Sequence, residues 1–141
     1  MALALWYHHL DNPRTATCGH DAMRASLLGP QYGDDEIGRF LAEVGGVAEK
    51  LGGDEFSIRV AEQLAAGKVV GFFQGRMEFG PRALGARSIL GDPRSVRMQS
   101  QMNLKIKYRE SFRPFAPSIR AENISEYFEI DRESPYMLLV A

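Results

Sequence analysis

Between residues 75 and 88 the chain reads Gly75-Arg76-Met77-Glu78-Phe79-Gly80-Pro81-Arg82-Ala83-Leu84-Gly85-Ala86-Arg87-Ser88. Glycines let a backbone approach a ligand closely and turn its amides toward anionic oxygen. Arginines add planar forks of donors that match phosphate geometry. The chemistry this pattern offers is therefore anion binding, with the single acidic residue, Glu78, placed to orient the arginines. It is neither a Walker loop, since no Gly-Lys-Ser/Thr triplet occurs, nor a dinucleotide-binding glycine fingerprint.

A second cluster follows at Asn103-Leu104-Lys105-Ile106-Lys107-Tyr108-Arg109-Glu110-Ser111-Phe112-Arg113-Pro114-Phe115-Ala116-Pro117. Pro114 biases Arg113 toward extended geometry, and Phe112 and Phe115 frame its guanidinium. From Lys68 to Arg113 there are ten basic and three acidic residues, a window of +7. The rest of the chain holds seven basic and fifteen acidic residues, or −8, so the net charge of −1 conceals a strong segregation. A basic window of this kind fits an anionic partner, either small phosphates or a nucleic-acid backbone.

The remaining candidates are weaker. His8 and His9 are adjacent and so diverge on either a helix or a strand. His20 stands apart, and no zinc-binding box accompanies any of the three, so no metal ligand set is expected. Cys18 is the only cysteine. It excludes an internal disulfide and fits a reducing compartment, so a cytoplasmic location is expected. Met77, Met98 and Met102 read as core fillers.

These residues need a scaffold, and 141 residues with 45% apolar and 25% charged content suffice for one globular unit. The opening apolar run is too short for a signal peptide or a membrane span, so a soluble protein with no membrane partner is expected. Residues 1–33 carry few periodic apolar positions and read as an irregular arm. Asp34 is expected to cap a helix reaching Val44, with Ile37, Phe40, Leu41 and Val44 on one face and Gly45-Gly46 as its stop. Ser57 is expected to cap a second helix to about Ala66, with Ala61, Leu64 and Ala65 inward. Residues 68–74 read as a buried strand, 88–90 as a short one, and Asp92-Pro93 as a turn. Residues 95–107 are expected to be helical, 112–119 extended, and a last short helix is expected near Tyr127. Residues 136–141 read as a closing strand. The succession predicts an α/β fold with a mixed sheet.

The two clusters together resemble the C-terminal region of the carbamoyltransferase family, which includes nodulation-factor and antibiotic O-carbamoyltransferases. The resemblance rests on the runs 75–85, 87–90, 92–94, 102–103, 106–107, 109–110 and 112–117, with further likeness around Leu28-Gly29-Pro30 and Ser134-Pro135-Tyr136. Ala86, Gly91 and Ser111 depart from the family pattern, which has Asn, Ala and frequently Pro there. The resemblance implies a YrdC-like domain with a mixed twisted sheet and flanking helices, incomplete over residues 34–141. It implies that residues 1–33 trail from an absent Kae1-like domain holding the acceptor site and an iron. The chain would then be a piece truncated at both ends.

The activity implied is an enzyme's: formation of carbamoyl adenylate from carbamoyl phosphate and ATP, with Mg2+ accompanying the nucleotide, and transfer of the carbamoyl group to an acceptor hydroxyl. Arg82, Lys107 and Arg113 are the phosphate-binding residues implied first. Arg76, Arg87 and Arg109 form a second tier, and Glu78 orients them. A polyanion-binding module, for instance for RNA, and an inactive docking fragment are the competing readings.

Overall fold

A computed structural model describes residues 1–14, 23–130 and 132–139. Cys18 and His20, like the last two residues of the expected closing strand, lie outside them. The chain opens with a helix where an irregular arm was expected: α1, Ala2–Ala4, continues through a wider π-wound turn, Leu5–His9. Alternating Ala and Leu favour helix strongly enough to begin one here. A left-handed turn, Arg24–Ser26, follows with all three φ angles positive.

Helix α2 spans Asp34–Val44 and ends at Gly45, which takes the left-handed conformation a side chain resists. Its N-cap is Gly33 rather than Asp34, and the acidic Asp34, Asp35 and Glu36 occupy the first turn, where they complement the helix dipole. Helix α3 spans Gly53–Ala65, starting five residues earlier than a Ser57 cap predicts. Ser57 lies inside it, its hydroxyl donating back to the Gly53 carbonyl at 3.3 Å. Leu64 is half-buried, whereas Ala61 and Ala65 remain exposed.

Strands β1 (Val70–Phe73) and β2 (Arg87–Leu90) pair antiparallel, Val70 opposite Leu90 and Phe73 opposite Arg87. Side chains alternate across β1. Phe72 meets Phe56 of α3, ring centroids 6.0 Å apart, and Phe73 meets Tyr32 at 6.5 Å. The architecture is thus mixed α/β, but the sheet has two strands among the described residues rather than the wider mixed sheet expected.

Helix α4, Met98–Gln101, runs on through a π-wound stretch, Met102–Ile106. Ala121–Asn123 and α5, Ile124–Tyr127, form the last helical turns. Residues 134–139 form turns and bends where a closing strand was expected.

The buried apolar side chains among the described residues are Ala86, Met98 and Met102. Met98 and Met102 close over Gly91, where an added Cβ would stand 2.6 Å from the Met102 sulfur and 2.8 Å from Met98 Cγ. Gly91→Ala should lower stability by about 1 kcal/mol, since both methionines can shift but only at the cost of their present packing. A urea midpoint unchanged by the substitution would contradict this packing.

The accessible surface is 12055 Å2. A compact monomer of this mass exposes roughly 7,300 Å2. Ile37, Phe40 and Val44 of α2 and Ile58 of α3 all face outward. The apolar faces that the sequence marks for burial are present but uncovered.

Candidate anion-binding site

Glu78 organises the glycine-arginine loop. Its side chain is 1% exposed. Oε1 accepts the backbone N–H groups of Leu84 at 2.7 Å and Ala86 at 2.8 Å, and Oε2 lies 3.4 Å from Arg87 Nε. Burial is the largest influence on this carboxyl and pushes its pKa up. The N–H groups of Ala86, of Glu78 itself and of Leu84, with the Arg87 charge, together outweigh it and hold the group below the usual carboxylate value. Ala86 also closes the loop from the other side, its carbonyl accepting Gln74 N–H at 2.9 Å. Main chain does this work, so residue 86 needs no polar side chain for it.

Arg87 donates onward to the carbonyls of Gly80 and Arg82. Arg76 donates to the Gly29 carbonyl at 2.7 Å. Around that bond the early segment is stitched to the loop: Gly29 N–H to Met77 O and Met77 N–H to Pro30 O, both 2.9 Å, and Phe79 N–H to Ser26 O at 2.7 Å. Gly29 permits the approach, since a Cβ there would stand 2.9 Å from the Met77 carbonyl oxygen.

Arg82 reaches across to the end of the described chain. Its Nη1 donates to the carbonyls of Tyr136 at 2.9 Å and Met137 at 3.0 Å. The Tyr136 hydroxyl in turn accepts Ala25 N–H at 3.1 Å. Three segments far apart in sequence thus meet at one residue, Tyr136.

The second cluster is built around Asn103, whose side chain is fully buried. Its Nδ2 donates to the carbonyls of Ser111 at 3.1 Å and Arg113 at 2.8 Å. Its Oδ1 accepts Arg109 Nε at 2.6 Å, and the Arg109 guanidinium lies over the Phe115 ring, 4.8 Å from its centroid. Gln99 adds donors to the Phe112 and Arg113 carbonyls. Asn103 was not singled out from the sequence. The signal was a polar side chain one step beyond Met98 and Met102 on the helix's inner side.

Arg113 itself is about half exposed and pairs with the exposed Glu110 at 2.8 Å. The Glu110 carboxyl is held below its usual value, first by its own N–H and then by Arg113. Lys107 is exposed, and among the described residues nothing holds its ammonium.

The six basic candidates therefore fall into an Arg76–Arg82–Arg87 group and a Lys107–Arg109–Arg113 group. Arg82 and Arg113 share no partner. What the two groups do share is a neighbour. An apolar hollow of about 530 Å3 is lined by Phe115, beneath Arg109, and by Met137, whose carbonyl takes Arg82. Ile119, Ile124 and Phe128 line it as well, with Arg132 and Ser134 as its polar members. Arg82, Lys107 and Arg113 do not line it.

Comparison with known proteins gives the context for this geometry. Residues 61–141 match the family described as carbamoyltransferase C-terminus, a stretch that contains β1, β2 and both basic groups. The chain belongs to the carbamoyltransferase C-terminal family. It is 56% identical over 142 residues to an uncharacterized protein of Synechocystis, covering 99% of this chain and 23% of that one. It is 45% identical to nodulation protein NolNO of Sinorhizobium fredii, covering 93% of this chain and 20% of the relative. It is 46% identical to the 3'-hydroxymethylcephem-O-carbamoyltransferase of Streptomyces clavuligerus, over 56% of this chain and 15% of that enzyme. This carbamoyltransferase C-terminal chain thus spans about a quarter or less of the curated relatives named here.

Among the described residues no helix is long and apolar enough to cross a membrane. Nor do three or more His, Cys, Asp or Glu side chains gather as a metal-ligand set among them.

Proposed function

We propose that this chain is the donor-binding part of an O-carbamoyltransferase, which takes carbamoyl phosphate and ATP toward carbamoyl adenylate and hands the carbamoyl group to an acceptor hydroxyl held outside it. In this reading residues 34–141 form an incomplete YrdC-like unit, and residues 1–33 lead in from an acceptor domain of Kae1-like type. The observation that carries it is the family match over residues 61–141, which contains both anchored arginine groups.

The residues suit the task. Both substrates bring several negative charges into one place, and more charge gathers on phosphate oxygens as bonds break. Fixed donors stabilise that charge without reorganising. Lys107, whose ammonium no side chain among the described residues holds, supplies a compact charge. Arg113 supplies a fork whose partner is one exposed carboxylate, a weak competitor for phosphate. Among the described residues Arg82 is engaged through Nη1, which fixes the guanidinium and keeps Nη2 and Nε as donors for a ligand. Mg2+ bound with ATP supplies further neutralisation of the phosphates.

Competition titration separates this reading from a polyanion-binding one. ATP and carbamoyl phosphate should each bind saturably at moderate salt, and a single-stranded oligonucleotide should not displace them. Preferential oligonucleotide binding, with a log–log salt slope of about −0.7 per phosphate contacted, would favour the polyanion module instead.

A further inference from the structure

We propose that Asn103 is a two-ended positioning residue, one buried carboxamide that sets the Arg109 guanidinium with its oxygen and the Arg113 main chain with its nitrogen. The inference rests on the donor-binding reading for its functional consequence, though the geometry stands without it. Both side-chain N–H groups are used, on the carbonyls of Ser111 and Arg113, and the oxygen takes Arg109 Nε at 2.6 Å. The Arg109 N–H also donates to the Asn103 carbonyl at 3.0 Å, so residue 103 grips residue 109 through main chain and side chain alike.

A fully buried amide with every donor satisfied adopts one orientation. Turning it over would set two carbonyls against its oxygen and Arg109 against its nitrogen. That fixed orientation passes to the two cations. Arg109 is pinned between Asn103 and the Phe115 ring, while the Arg113 backbone carbonyl, one bond from the Cα that bears its side chain, accepts from Asn103 at 2.8 Å and Gln99 at 3.1 Å. Neither guanidinium is placed by its own side chain's packing alone, since Arg113 is half exposed. The helical stretch carrying Asn103 therefore dictates the spacing of two cations six and ten residues further on.

The two ends can be separated by substitution. Asn103→Asp keeps an oxygen for Arg109 but turns a carboxylate toward the carbonyls of Ser111 and Arg113, which repels that segment. Asn103→Leu removes both ends at similar volume. Binding of carbamoyl phosphate to the 141-residue chain is expected to weaken about tenfold in Asn103→Asp, equivalent to about 1.4 kcal/mol. Adding Arg113→Ala to Asn103→Asp should then cost less than about twofold more, because Arg113 is already misplaced. In Asn103→Leu that addition should not matter.

Independently of any ligand, the Arg109 Nε–H resonance should exchange slowly with solvent in the wild-type chain, persist in Asn103→Asp and vanish in Asn103→Leu. Wild-type binding with simply additive Asn103→Asp and Arg113→Ala losses would overturn the inference and leave the donor-binding reading standing. No carbamoyl phosphate binding at all would overturn that reading, and the Nε–H signal alone would then decide the role of Asn103. Rapid wild-type exchange at Arg109 Nε–H would refute it outright. Should Asn103→Leu fail to fold, Asn103→Asp and the wild-type exchange rate carry the test.

Discussion

Replacing Glu78 with alanine is expected to release the whole 76–88 loop. The carboxylate satisfies two backbone N–H groups and faces Arg87 in a side chain that is 1% exposed. Its removal leaves those donors without acceptors and a largely covered guanidinium without its counter-charge. Breaking such a pair from one side costs about 3–5 kcal/mol, and the thinness of this chain argues for the low end. At about 3 kcal/mol, hydrogen exchange of the Leu84 and Ala86 amides should accelerate roughly a hundredfold. Glu78→Gln is expected to be milder, since its oxygen can still accept both amides. Its new amide would face Arg87 donor to donor. Equal protection in wild type and Glu78→Ala would show that the loop is held by something else.

The same carboxylate gives the loop an acid limit. Its folded pKa lies below the ordinary value of 4.5, so its contribution is fully present above that value. It is lost as pH falls through the folded pKa, because protonation removes the charge that Arg87 and the amides stabilise. Protection of Leu84 and Ala86 should therefore be flat from neutral pH down to about pH 5 and fall below it.

Arg82 and Arg113 should respond differently to removal, although both are assigned to phosphate. Arg113→Ala takes away a surface pair with Glu110, whose contribution to stability is small. It should leave unfolding unchanged while weakening carbamoyl phosphate binding at least about tenfold, the worth of one charge-assisted hydrogen bond of about 1.5–3 kcal/mol. Arg82→Ala takes away two bonds to the Tyr136 and Met137 carbonyls as well. It should weaken binding comparably and also free the 134–139 turn, visible as faster exchange and greater protease sensitivity there. Identical stability profiles for the two variants would mean that the tie to residues 136–137 contributes nothing.

Helix α2 was legible from sequence to its last residue, because an amphipathic run bounded by glycines is a local signal. The start of α3 was misplaced for an equally local reason. Asp54 and Glu55 complement the helix dipole and carry the helix back past Ser57, whose hydroxyl bonds inward rather than capping. The closing strand was expected over residues 136–141, and its described part, 136–139, forms turns and bends, because strand pairing is a relation between two segments that no local apolar run specifies. The arginines show the same limit. Their types and spacing announced anion chemistry, but the acceptors of Arg76 and Arg82 are main-chain carbonyls 47 to 55 residues away, which no local pattern names. Asn103 was hidden because its meaning lies in what it touches. Glu78 was read as an orienter of arginines, and the structure places it against Arg87 and two amides of the loop.

The division of the basic residues into two groups changes how they are to be pictured. They are not six equivalent charges on a solvated face. Arg76, Arg87 and Arg109 are occupied by the Gly29, Gly80 and Asn103 oxygens, among others, and shape the loops. Lys107 and Arg113 point their charge outward, and Arg82 does both.

The decisive measurement is calorimetric titration of carbamoyl phosphate into the wild-type chain and its Arg113→Ala variant, at about 0.1 M salt where exposed charges are largely screened beyond 10 Å. One saturable site in the wild type, weakened about tenfold by the substitution, is the expected result. No binding by the wild-type chain, or the same affinity in both proteins, would contradict a donor site built on these cations.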